Sequence, residues 1–165
     1  MAEDNKQKNN RRRGGFPRGE REKPEFDHKI IDIRRVTRVV KGGRRFSFSV
    51  VVAMGNRKGQ VGVGVGKAAD ISLAIEKALQ HGKKNMLIVP LNKNQSIAHE
   101  VKAKWSGSRV VIRPTRGQAV IAGSAVRVVL NMAGVKGVSA KIISKSKNRL
   151  NNARVAMVAL GQVNP

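Results

Sequence analysis

The chain has no cysteine, no tyrosine, and only ten acids among its 165 residues. Without cysteine there are no disulfides and no Cys-based zinc sites, which suits a reducing, cytoplasmic setting. No run of about eighteen apolar residues occurs, so no membrane span is expected. The N-terminus lacks the apolar segment of a signal peptide. Aromatic side chains are limited to Phe16, Phe26, Phe46, Phe48 and Trp105, which argues against a protein that works by stacking splayed bases. The three histidines, His28, His81 and His99, share no short metal-binding spacing, so no metal site is expected, and no cofactor.

What the chain does have is positive charge. Thirty-four Lys and Arg against ten acids give a net charge of +24. Residues 1–29 carry only +3 of it, with nine bases and six acids. Residues 30–165 carry +21, their acids being Asp32, Asp70, Glu76 and Glu100. The excess therefore sits on the apolar-patterned body rather than in a loose tail. Like charge at that density opposes compaction, and a polyanionic partner is its natural counterpart.

Residues 1–28 are polar, with Gly14, Gly15, Pro17 and Pro24 and no apolar period, and read as a disordered arm whose Arg11, Arg12 and Arg13 could grip phosphate. From Lys29 to Val40 apolar and polar residues alternate roughly. Lys41-Gly42-Gly43-Arg44 makes a tight turn, Arg45 to Met54 returns as a β-branched run, and Gly55-Asn56-Arg57-Lys58-Gly59 turns again. Gln60 to Gly66 then alternates strictly, with Val61, Val63 and Val65 on one face and Gly62, Gly64 and Gly66 on the other. A row of glycines gives up packing, so something bulky should lie against that bare backbone. With Lys67 beside it, a phosphate chain is the expected visitor, a neighbouring helix or strand the alternative. Asp70 is placed to cap a helix whose stripe Ile71, Ala74, Ile75, Ala78 and Leu79 would seat on the valine face. This gives a β-β-β-α unit over 29–84.

The second unit, 85–165, reads as mixed α/β. Strands are expected over 86–91, 97–105, 109–113 and 138–144, with helices over 123–132 and 153–160 and a basic loop over 145–152. The helix from Gly123 is apolar on most sides, with Arg127 and Asn131 its polar stripe, and Gly134 ends it.

The ordered succession VVKGGRRFSF, NRKGQVGVGVGKA, a helix ending in KKNM, and GSRVVIRPTRGQAVIAGSAVRVVLNMAGV resembles the bacterial small-subunit ribosomal protein five family over roughly 29–144. The stretch SKSKNRLNN is shorter than the family's usual Gly-Ser and proline turn before the last helix. The resemblance implies an α+β protein with two parts. The first is an N-terminal domain like the double-stranded-RNA-binding fold, and the second a C-terminal α/β domain with a left-handed βαβ unit. It also implies a place in the small ribosomal subunit, against its ribosomal RNA and small-subunit protein four, close to the messenger-RNA entry channel, with influence on decoding accuracy.

Two enzyme-like patterns fail. Counting back from Gly66-Lys67 puts Val61 where a P-loop needs glycine, and Ala68 follows the lysine. Thr115 to Ala125 could cradle phosphate at a helix start, but no Asp or Glu occurs after Glu100 to hold the metal that phosphoryl transfer needs. No catalytic residue is assigned. The expected RNA contacts are Lys41, Gly42, Gly43, Arg44, Arg45, Arg57, Lys58, Gly64, Gly66, Lys67 and Lys84, with Arg109, Arg113 and Arg116 behind them, and Arg127 facing a neighbouring protein. The alternative is a general histone-like nucleic-acid-binding protein.

Overall fold

A computed structural model describes residues 25–92 and 94–164, so Arg11, Arg12 and Arg13 of the arm lie outside the described residues. Among the described residues, two four-stranded sheets and three helices follow one another. Strands β1 (Asp27–Val40), β2 (Gly43–Gly55) and β3 (Gln60–Ala68) lead into helix α1 (Ile71–Lys84). The short strand β4 (Met86–Ile88) then pairs antiparallel with β3, giving the order β1-β2-β3-β4. The first sheet thus begins at Asp27, inside the expected arm, and takes up residues 86–88, which the sequence assigned to the second unit.

The second sheet comprises β5 (Val101–Trp105), β6 (Ser108–Pro114), β7 (Val120–Ile121) and β8 (Val138–Ile142), in the order β5-β6-β8-β7. β7 and β8 are parallel and joined through α2 (Ser124–Ala133), so β7-α2-β8 is a βαβ unit. At two residues, β7 is too short to carry a period. The final helix α3 (Arg149–Gly161) starts four residues before the expected 153, inside the expected basic loop. Asn148 caps it, its side-chain oxygen accepting from the N–H of Leu150 at 3.1 Å and of Asn151 at 3.5 Å. Asp70, expected to do the same for α1, makes no side-chain cap hydrogen bond.

The glycine strand is where expectation and structure part. α1 lies on the glycine face, not on the valine face. Its buried positions are Ala74, Ala78 and Gly82, an i, i+4, i+8 row of small residues. A Cβ added at Gly66 would strike the Ala74 carbonyl, at Gly64 that of Ala78, and at Gly62 that of Gly82. Bare strand backbone and a small-residue helix stripe thus let two elements approach more closely than side chains would permit. Their cross-strand partners Val50 and Val52 fill the space beside Ala74 and Ala78. Within α1's expected stripe, Ile75 and Leu79 pack at the margin and Ile71 is exposed.

The valine face turns the other way. Val51, Ala53, Val61 and Val63 join one continuous core with Val126, Val129 and Leu130 of α2 and Val155, Ala156 and Ala159 of α3. The first sheet is therefore covered on both faces, and the two units share a core. One polar pair lies within the buried second unit: the Ser108 hydroxyl donates to the Asn152 side-chain oxygen at 2.7 Å, and the Asn152 amide donates to the Ser146 carbonyl at 3.3 Å. Asn152→Leu should cost about 1–3 kcal/mol by stranding the Ser108 hydroxyl. Equilibrium urea unfolding checks this, and an unchanged midpoint would mean that water replaces the amide.

Candidate nucleic-acid interface

β2 pairs with β3 only from Phe48 onward, whereas its pairing with β1 continues to Gly43. Residues 36–47 therefore form a two-stranded ribbon that extends past the third strand. The two-residue loop Lys41-Gly42 closes it, followed by Gly43 at a φ of 136°. An added Cβ at Gly42 or Gly43 would meet no atom within 4 Å. The expected contacts Lys41, Gly42, Gly43, Arg44 and Arg45 all sit, exposed, on this tip.

The ribbon holds more charge than its tip. Arg38 lies within the ribbon, with Arg34 and Arg35 just below its base on β1, and Arg38 stands directly opposite Arg45. Like charges in facing positions destabilise a strand pair. Arg35 lies over the Phe46 ring, 4.6 Å from its centre, and Arg34 is held by Asp32 at 2.6 Å. Among the described residues, Arg38, Lys41, Arg44 and Arg45 meet no carboxylate within ion-pair distance. Val39 and Phe46 are 76% and 47% exposed, so the ribbon also presents apolar surface. An isolated two-stranded hairpin is marginal in water. A partner that neutralises the arginines would stabilise it. Arg34, Arg35 and Arg38 were not among the expected contacts.

The second expected tip is built differently. The Arg57 N–H donates to the Met132 carbonyl at 3.0 Å and the Gly59 N–H to that of Ala133 at 2.8 Å. The 55–59 turn is thus seated on the C-terminal end of α2, supplying donors to its free carbonyls. The side chains of Arg57 and Lys58 still reach solvent, but Arg57 is paired with Asp27 at 3.0 Å. Near this turn, Arg57, Lys29 and Lys136 border one groove, and Lys136 and Arg116 border an adjoining polar cleft of about 550 Å³.

The remaining expected contacts are scattered. Lys67 at the end of β3, Lys84 at the end of α1 and Arg109 at the start of β6 are exposed. Arg113 is tied to Glu100 at 2.7 Å, which also holds Lys102 at 3.3 Å. Lost hydration pulls the Glu100 carboxyl upward, but hydrogen bonds from Lys102 and Arg113, and their charges, outweigh it and hold it below its ordinary value. Gly64 and Gly66 are corrected: both are buried beneath α1, where no phosphate can reach them. Arg127 and Asn131 are exposed on α2, as the polar stripe implied. No three His, Asp or Glu side chains gather as metal ligands, and no helix is long and apolar enough to cross a membrane, among the described residues.

Comparison with known proteins agrees with this architecture over nearly its whole length. Residues 26–90 match the family model described as ribosomal protein S5, N-terminal domain, and residues 103–165 that of ribosomal protein S5, C-terminal domain. The small ribosomal subunit protein uS5 of Synechococcus elongatus is 48% identical over 99% of this chain and 90% of its own length. That of Nostoc punctiforme is 46% identical over 90% of this chain and 85% of its own. The uS5c protein of Cyanophora paradoxa is 48% identical over 86% and 83%. With both halves matched in order and relatives this close, the chain belongs to the ribosomal protein S5 family, whose members are constituents of the ribosome rather than enzymes.

Proposed function

We propose that this chain is a structural constituent of the small ribosomal subunit that holds ribosomal RNA chiefly with the β1–β2 ribbon. The observation that carries this is the ribbon itself, a strand pair past the edge of its sheet with four unpaired cations among the described residues. Side chains cannot read the deep, narrow major groove of A-form RNA, so such a ribbon recognises backbone charge and shape. Arg57, Lys58, Lys67, Lys84, Arg109 and Arg116 add electrostatic reach around the body. Arg127 on α2 faces a neighbouring small-subunit protein, and the family resemblance makes protein four the candidate. The same resemblance puts the messenger-RNA entry channel close by and ties the chain to decoding accuracy.

The test is binding of the full chain to small-subunit rRNA over a salt series. Lys41→Glu, Arg44→Glu and Arg45→Glu together should weaken binding and flatten the log–log salt slope by roughly three, about one per lost phosphate contact. The pair Arg57→Glu and Lys58→Glu should do less, because Arg57 already has a carboxylate partner. Wild-type affinity and slope for the triple variant would remove the ribbon from the interface. Equal competition by duplex DNA at physiological salt would favour the histone-like alternative.

A further inference from the structure

On the side of the molecule away from the ribbon, the C-terminal end of α1, the last residue of β5, Val63 of β3 and one face of α3 border an open cavity of about 400 Å³. Val63, Met157 and Val158 give it apolar walls, while His81, Asn85, Trp105 and Arg154 supply aromatic and polar groups. That volume is within the range of small-ligand pockets, roughly 300–1,000 Å³. We propose that this cavity receives an unstacked nucleobase of RNA, with the Trp105 indole as its stacking platform and Arg154 holding the adjoining phosphate. The proposal rests on the RNA-binding reading above, adds a second, chemically different contact to it, and departs from the sequence expectation against stacking at one base only, on the lone tryptophan.

Three observations lead to a base rather than to an apolar side chain. Trp105 is the only tryptophan, and its indole, 42% exposed at the end of β5, is open to a visitor. Its neighbours in the cavity are a guanidinium, an imidazole and an amide, which suit phosphate and the edges of a base better than an aliphatic group. Among the described residues no carboxylate lines the cavity, which suits a phosphate. The amide nitrogen of Asn85 donates to the His81 carbonyl at 3.1 Å, which fixes its orientation. The position also matters. α1 runs back along β3, from Ala74 beside Gly66 to Gly82 beside Gly62, which puts His81 and Asn85 at the end of the sheet opposite the ribbon. RNA held at both places would be gripped by charge at one end and by stacking at the other.

With no tyrosine and one tryptophan, intrinsic fluorescence above 295 nm excitation reports on this cavity alone. Full-length protein titrated with small-subunit rRNA should show saturable quenching of Trp105. Trp105→Ala should weaken rRNA binding roughly 5- to 150-fold, the range for losing one stacked base, and Trp105→Phe should recover most of it. Arg154→Gln should lower the salt slope by about one. If rRNA still binds by filter retention while the fluorescence stays unchanged, the cavity proposal falls and the ribbon reading stands. If rRNA does not bind at all, both fall. If neighbouring small-subunit proteins quench Trp105 without RNA, the occupant is a protein side chain and the proposal is wrong.

Discussion

Gly64→Val should unseat α1 and cost at least about 3 kcal/mol, enough to unfold much of the first unit. The reason is the identity of the obstacle. A Cβ at residue 64 would land on the carbonyl of Ala78 and the N–H of Gly82, both helix backbone, so no rotamer change can make room. Either α1 lifts off the sheet, exposing Val50 and Val52, or the strand distorts between its neighbours β2 and β4. Gly42→Ala is the matched control, because an added Cβ there meets nothing within 4 Å and should change stability by no more than about 0.5 kcal/mol. Urea unfolding followed by far-UV circular dichroism distinguishes the two. A Gly64→Val protein with the wild-type midpoint would mean that α1 does not lie on the glycine face.

Gly134→Val should be nearly as damaging, for two separable reasons. Residue 134 ends α2 in the left-handed region at a φ of 79°, which costs a β-branched residue roughly 1–3 kcal/mol. The added side chain would also strike the Arg57 carbonyl, forcing the 55–59 turn off the end of α2. Two backbone hydrogen bonds, Arg57 to Met132 and Gly59 to Ala133, would go with it, at about 1 kcal/mol each. The total is about 3–5 kcal/mol. Gly134→Asn separates the causes, since asparagine tolerates the left-handed region but still carries a Cβ. It should keep most of the loss, and amide exchange at Arg57 and Gly59 should accelerate before the rest of the first sheet. If Gly134→Asn is as stable as the wild type, the close approach is unimportant and only the dihedral matters.

Both predictions concern contacts that the residue pattern could not assign. The strict alternation of Val61 to Gly66 made a strand legible and sorted its side chains into two faces. It did not say which face would meet α1. Valines invite an apolar helix, and glycines admit one at short range, so each face was a plausible seat. The small row Ala74, Ala78, Gly82 was the available clue, because it matches glycine spacing better than it matches a valine surface. The Asn148 cap was also there to be read, a side-chain acceptor just before the final helix. The seating of the 55–59 turn on α2 left no such clue. It is made by main-chain N–H and carbonyl groups, which every residue but proline carries.

Sequence alone settled the strand and helix inventory, apart from the two-residue β7, and the large cationic excess on the body. The ordered succession of motifs also carried the family resemblance, because such motifs, like alternation, turn glycines and charge, are written residue by residue along the chain. Tertiary structure decided which side of the glycine strand is covered, that the two units share one core, and that one cationic turn is docked while the other extends free. Those outcomes depend on which surfaces meet across long stretches of chain, and complementarity of shape is a property of pairs of surfaces that no single segment contains.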